Sequence, residues 1–212
     1  MLFTDRFDAG KKLAKALQKY RNDQSALILA IPRGALQIGR VLADELGLLL
    51  DVFIAKKISL PGNEEVAIGA VAQGGIVEVA EGLVTAYRVP EGYLKKETTR
   101  LKKVVEEKYK QYTRNANPLS LKGKTIILCD DGIATGYTLI AAIKAIKKQN
   151  PQKIIVAVPV ASHEGATAVK PIVDDFVVLS TPEPFYAIGQ FYSSFPQVED
   201  EEAIALLKKG KT

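Results

Sequence analysis

A chain of 212 residues with 47% apolar content can bury one substantial core, and a formal charge of +5 is too dilute to argue for nucleic acid as its main partner. One cysteine, Cys129, rules out an internal disulfide, and with a single histidine it leaves too few soft ligands for a zinc site. No uncharged apolar run approaches the roughly 18 residues of a membrane span, and the start MLFTDRFDAGKKL is charged where a signal peptide is apolar, so a cytoplasmic protein is expected.

In chain order, DAGKKLAKALQKY (8–20) spaces Leu13 and Leu17 four apart and predicts a helix. ALILAI (26–31) reads as a buried strand, and AIPRGA (30–35) carries it through a short glycine loop. LQIGRVLADELG (36–47) then sets Ile38, Val41, Leu42 and Leu46 on one helical stripe that Gly47 stops. LDVFIAKKI (50–58) reads as a second strand, with Lys56 and Lys57 at its end. VAIGAVAQGGIVEVAEGLV (66–84) predicts a glycine-punctuated hairpin. YLKKETTRLKKVVEEKYKQYT (93–113) predicts an amphipathic helix with Leu94, Leu101, Val105, Tyr109 and Tyr112 inward. Its outer face is basic, but glutamates dilute it, and it reads as solvated surface.

TIILCD (125–130), KIIVAVPV (153–160) and DFVVLS (175–180) supply three more strands. Between the first two, TLIAAIKAIKKQNP (138–151) is a helix with lysines in its last turn and Asn150-Pro151 as its stop. VEDEEAIALLKKG (198–210) places acids first, lysines last and then Gly210, a good helix by its dipole. Apolar runs without alternation, separated by helices and free of repeats or linkers, predict an α/β fold with a mostly parallel sheet covered on both faces.

The stretch IILCDDGIATGYTL (126–139) ends an apolar run in adjacent carboxylates, Asp130 and Asp131. In an open parallel sheet, ligands bind beyond the carboxyl ends of the strands, where these acids would lie. Neighbouring carboxylates repel, more so when buried, and so call for the donors of a sugar diol or for a magnesium ion held by oxygens. Ala134, Thr135, Gly136, Tyr137 and Thr138 follow, just before the helix, where unsatisfied backbone N–H groups make an anion site. Gly136 permits close approach or a positive φ, and both threonines add hydroxyls. A diol-binding pair beside a phosphate-binding turn has about the layout of a ribose 5-phosphate. The same residues also suit a plain N-cap at Thr138 after an ordinary turn. Neither G-x-x-x-x-G-K-[ST] nor G-x-G-x-x-G is present.

This stretch resembles the phosphoribosyl pyrophosphate (PRPP) motif of the type I phosphoribosyltransferases: apolar strand, two acids, a few variable residues, then Thr-Gly-x-Thr. Tyr137 stands where many members have a second glycine, and it would still offer its backbone N–H with the side chain outward. The resemblance implies a Rossmann-like, mostly parallel sheet flanked by helices. It implies one phosphoribosyltransferase domain over 1–212, in which 66–113 is a loop, hairpin and helical insertion and 181–212 a small hood with a C-terminal helix. The implied activity is transfer of 5-phosphoribosyl from PRPP to an acceptor such as a nucleobase, with release of pyrophosphate and with Mg²⁺, as in nucleotide salvage. Asp130 and Asp131 would hold the ribose hydroxyls and, through these or water, the metal. Residues 134–138 would seat the 5′-phosphate.

The same resemblance points to Arg33 and Gly34 as a pyrophosphate loop, with Lys57 favoured over Lys56 as a further cation, and to Phe185 and Tyr186 as acceptor contacts. Residues 58–75 would be a flexible loop that closes over the site. Each has a plainer reading. Pro-Arg-Gly also fits an ordinary turn, two lysines also mark a strand's exit into solvent, and the aromatics of TPEPFYAIGQFYSSF (181–195) also fit a small hood core. His163 reads as a turn residue and Cys129 as a small buried hydrophobe. The sequence excludes a membrane partner and leaves a homodimer open. A rival class is a PRPP-sensing regulator of the same fold, binding nucleic acid without useful turnover.

Overall fold

The computed structural model describes residues 2–208, and at residues 64 and 65 the backbone alone. Among the described residues eight strands follow in order: β1 (Ala26–Ala30), β2 (Leu49–Val52), β3 (Ala55–Leu60), β4 (Asn63–Ala72), β5 (Ile76–Val79), β6 (Thr125–Cys129), β7 (Lys153–Val160) and β8 (Asp175–Ser180). The helices are α1 (Arg6–Ala16), α2 (Ala35–Leu46), α3 (Glu81–Ala86), α4 (Glu91–Thr113), α5 (Tyr137–Lys147), α6 (His163–Val169) and α7 (Asp200–Lys208). Gly210, expected to close the last helix, lies outside the described residues.

Five strands make an all-parallel sheet in the order β2-β1-β6-β7-β8. From β1 the chain moves outward to β2, and from β6 it moves the opposite way to β7 and β8. The reversal falls between β1 and β6, so their two following loops diverge there and leave the crevice in which open α/β sheets bind ligands.

Successive strand residues feed opposite faces of the sheet, as the strand's period of two demands. Ile28, Ala30, Ile127, Cys129 and Ile155 join one buried cluster with Leu13 and Leu17 of the N-terminal segment and Ile38 and Leu42 of α2. Leu27, Leu29, Ile126, Leu128 and Val156 join a second cluster under Leu139, Ile143 and Ile146 of α5. Burial on both faces explains the unbroken Val, Ile and Leu of these strands. Truncating one such side chain, Ile127→Ala for example, would cost ~2–5 kcal/mol.

The strand expected over 50–58 is in fact two strands in different sheets. Phe53 N–H donates to the Ala30 carbonyl at 2.9 Å, and there β1 ends. With no ladder left to follow, Ile54 turns to Gln73, donating to its side-chain Oε1 at 3.1 Å and accepting from its backbone N–H at 2.9 Å. β3 then pairs antiparallel with β4, and β4 with β5, giving a second sheet in the order β3-β4-β5. Lys56 and Lys57 therefore belong to this second sheet, and the flexible loop expected over 58–75 is largely a hydrogen-bonded hairpin. α4 closes over it, with the Tyr93 hydroxyl donating to the Ser59 carbonyl at 2.8 Å.

The helix expected over 138–151 stops at Lys147, because Gln149 and Asn150 turn back onto Ile146 and Lys147 and Asn150 takes a φ of +52°. α4 buries Leu101, Val105, Tyr109 and Tyr112 as expected, while Leu94 is half-buried against the same cluster. No helix among the described residues is long and apolar enough to cross a membrane.

Candidate active site at the sheet's switch point

β6 delivers Asp130 and Asp131 to the crevice. The Asp131 N–H donates to Asp130 Oδ1 at 2.9 Å. Its carboxylate is held by Arg6 of α1, whose Nε donates to Asp131 Oδ2 at 2.9 Å. Arg6 is 5% exposed, donates again to the Pro196 carbonyl at 2.7 Å, and lies 3.6 Å over the Phe195 ring. The Tyr192 hydroxyl adds a bond of 2.7 Å to the Asp131 carbonyl.

Arg6 leaves the acids unequal. Burial pushes the Asp130 carboxyl well above the usual carboxylate range, and the Asp131 charge raises it further. Burial also raises Asp131, but there the Arg6 guanidinium opposes it. Asp130 is thus the acid with most to gain from a donor or cation brought by a ligand. Among the described residues no group of three or more His, Cys, Asp or Glu could hold a metal. The donor set fits a hard cation only where a ligand's oxygens complete the shell.

The next turn leaves its backbone amides uncapped. Gly136 is the N-cap of α5 with a φ of +80°, where a Cβ would stand 3.0 Å from Val169 Cγ2. No side chain caps the helix, so Thr138 is not the N-cap and the first-turn amides are left for another acceptor. Ala134, Thr135, Tyr137 and Thr138 are exposed, with the Tyr137 side chain 65% so. The turn is stitched to the end of β7: Ile133 N–H donates to the Val160 carbonyl at 2.9 Å, and the Ser162 hydroxyl donates to the Ala134 carbonyl. A recess of about 170 Å³ opens between Asp130 and this turn, closed on one side by Ile188.

Beside it lies a larger cavity of about 800 Å³ whose wall includes Thr135, Tyr137 and Thr138, so the two spaces share the turn. Arg33, Lys56, Lys57 and Lys108 also line it. Both candidate lysines of β3 reach the cavity. Arg33 follows a cis peptide at Pro32. Its Nη1 lies 3.3 Å from Glu199 Oε2 and 3.7 Å from Asp200 Oδ1, so acids at the start of α7 already share its charge. Gly34 serves a close approach within the protein. A Cβ there would lie 2.2 Å from Asp131 Oδ2 and 2.8 Å from Arg6 Nε.

The aromatics of the hood divide. Phe191 and Tyr192 are buried, and Phe185 packs on Phe191 with ring centroids 4.9 Å apart. Phe185 also edges an open depression with Ser162, His163 and Glu183, where His163 Nε2 stands 3.5 Å from Glu183 Oε1. Tyr186 is 85% exposed and apart from both cavities. Cys129, under the acid pair, is fully buried, and burial raises its thiol pKa steeply.

Arg6, Lys108, Tyr112, Tyr192 and Asp200 were not singled out from sequence as site residues. Two of them carried a signal. Arg6 falls in step with Leu13 and Leu17, and Lys108 completes the spacing Leu101, Val105, Lys108, Tyr112. A cation on an apolar stripe needs a partner.

A family model for the phosphoribosyl transferase domain matches residues 4–193. TT1426 from Thermus thermophilus is 36% identical, with a TM-score of 0.86 over 98% of each chain. A Mycobacterium tuberculosis protein, provisionally named as a phosphoribosyl transferase, is 29% identical over 99% of this chain and 47% of its own length. The chain thus spans about half the length of the curated relatives it matches. A hypothetical protein from Neisseria gonorrhoeae, solved with bound ppGpp, shares the fold at 15% identity and a TM-score of 0.52, over 100% of this chain and 96% of its own.

Proposed function

The chain belongs to the phosphoribosyl transferase domain family, and from that premise we propose that it transfers the 5-phosphoribosyl group of PRPP to a nucleobase and releases pyrophosphate. The observation that carries this reading is the shared wall of the two cavities. A turn with uncapped amides and Asp130, the first of the two acids, face a small recess, and the same turn borders a larger space lined by four cations. PRPP brings three parts that such groups can hold: a phosphate, a diol and a pyrophosphate.

In this reading the amides and hydroxyls of 134–138 seat the 5′-phosphate at the start of α5. Asp130 accepts from a ribose hydroxyl, and Asp131, set by Arg6, accepts from its neighbour. Arg33 and Lys57 stabilise the charge that grows on the departing pyrophosphate as the anomeric carbon becomes cationic. Mg²⁺, held by pyrophosphate oxygens and reached by Asp130 and Asp131 through water or the ribose hydroxyls, would supply further positive charge to that leaving group. Phe185, which edges the depression beside Ser162 and His163, is the acceptor contact in this reading. The 58–75 hairpin and α4 screen the cavity from water.

The test is pyrophosphate release from Mg-PRPP over a panel of nucleobases, with the parent and Asp131→Asn. One base that drives release in the parent and fails to do so in the variant supports the reading. PRPP binding without turnover on any base would replace it with a sensing role.

A further inference from the structure

Among the described residues no Asp or Glu lines the 800 Å³ cavity, and its cations come from separate parts of the chain. Arg33 sits on the loop after β1, Lys56 and Lys57 on β3, and Lys108 on α4. Lys108 is the one that the sheet does not deliver. It stands on the inward stripe of α4, with its Nζ 5.1 Å from the ring centroid of Tyr112. Its partner is Asp200, the first residue of α7. Lys108 Nζ donates to Asp200 Oδ2 at 2.9 Å, the Tyr112 hydroxyl donates to Oδ1 at 2.7 Å, and Arg33 Nη1 lies 3.7 Å from the same Oδ1. One carboxylate therefore gathers cations from two distant segments at the edge of the cavity.

We infer that Lys108 is a polyanion-binding residue of this site: with Arg33 it takes the pyrophosphate end of the donor, and Asp200 is the carboxylate that those oxygens displace. This rests on the function proposed above. Pyrophosphate carries several charges where Asp200 carries one, and its oxygens can meet a guanidinium two at a time. Asp200 is not orphaned by the exchange. It keeps the Tyr112 hydroxyl and the Gln111 amide, whose Nε2 is 3.3 Å from Oδ2. Glu199, 65% exposed, returns to water. Lysine suits the task, being a compact charge on a flexible stem that can swing between two acceptors.

Calorimetric titration of the full chain, without acceptor, tests this with three ligands: inorganic pyrophosphate, Mg-PRPP and ribose 5-phosphate. Lys108→Met is expected to weaken pyrophosphate and PRPP by about tenfold or more, the worth of one charge-assisted bond, and to leave ribose 5-phosphate unchanged. Lys108→Arg retains most of the affinity. Asp200→Asn tightens pyrophosphate, because a competing charge is gone while the amide oxygen can still accept from the Tyr112 hydroxyl. Parent-like pyrophosphate binding by Lys108→Met overturns the inference. So does an equal loss of ribose 5-phosphate, which would mark Lys108 as structural, or weaker pyrophosphate binding by Asp200→Asn. A parent chain that binds neither PRPP nor pyrophosphate overturns the functional reading itself.

Discussion

The end of the parallel sheet and the antiparallel sheet with α4 face the same space but build it differently. Along 130–138 the working groups are mainly backbone amides and two acids, close in sequence and stitched to β7. Across the cavity they are side chains on long stems, brought together from the loop after β1, from β3 and from α4. A site made of backbone has little slack, since one misplaced atom removes several donors at once. A site made of lysines and arginine degrades step by step, since each charge can be lost alone.

Gly136→Val should break that contrast hardest. It forces a β-branched residue into a φ of +80° and against Val169. Losing two or more bonds to a charged phosphate, at ~1.5–3 kcal/mol each, should weaken PRPP at least about 100-fold. Undiminished heat stabilisation by PRPP in this variant would show that the turn does not seat the phosphate.

Asp130→Asn should separate function from stability. Turnover of PRPP should fall to background while the unliganded melting temperature rises by a few degrees, because the variant no longer buries a charge without an ion-pair partner, an effect of ~1–3 kcal/mol. The sign follows from the raised carboxyl pKa. Above the ordinary carboxylate range the unfolded chain releases this proton readily and the folded chain does so at a cost. The variant's advantage should therefore shrink as pH falls toward that range, where the folded parent already holds the proton. A melting temperature that falls in the variant at neutral pH would sink the argument.

The hood offers a graded comparison. Phe185→Ala should cost ~1–3 kcal/mol of stability through its packing on Phe191, whereas Tyr186→Ala should stay within about 0.5 kcal/mol in a thermal melt. Equal shifts would mean that Tyr186 packs more closely than its exposure indicates.

The smallest effect belongs to the second region. Tyr112 and Lys108 hold the Asp200 carboxyl below the usual range. Its contribution to docking α7 is therefore present above the ordinary carboxylate pKa and is lost as pH falls below it. A parent that loses slightly more stability between pH 4 and pH 3 than Asp200→Asn agrees with this, and identical pH profiles contradict it.

The same contrast explains what the sequence disclosed. Asp130, Asp131 and Gly136 were legible because they are close together in the chain, and because strand, turn and helix follow one another without a break. The sheet's strands were legible because burial on both faces leaves unbroken apolar runs. LDVFIAKKI misled because a strand that changes sheets keeps the same composition on both sides of the turn. The separation depends on where β1 ends and on a Gln73 side chain far along the chain. Gly34 was expected to admit a ligand, yet its missing side chain makes room for the Arg6–Asp131 pair, a contact no local pattern encodes. Asp200 was invisible for the same reason, reading alone as an ordinary helix charge, and the place of Lys108 on an apolar stripe called for a partner without naming it.

Cys129 has a practical use as well as a place in the core. The chain's only thiol is sealed beneath the acid pair with its pKa driven upward, so it should resist alkylation while the fold is intact. The protein is in effect ready for single-site labelling without first removing a native cysteine. Gly82→Cys, in α3 just past β5 and with open space around its Cα, could carry a dye that reports hairpin movement when PRPP is added. Reaction of Cys129 itself would in turn serve as a chemical clock for opening of the sheet.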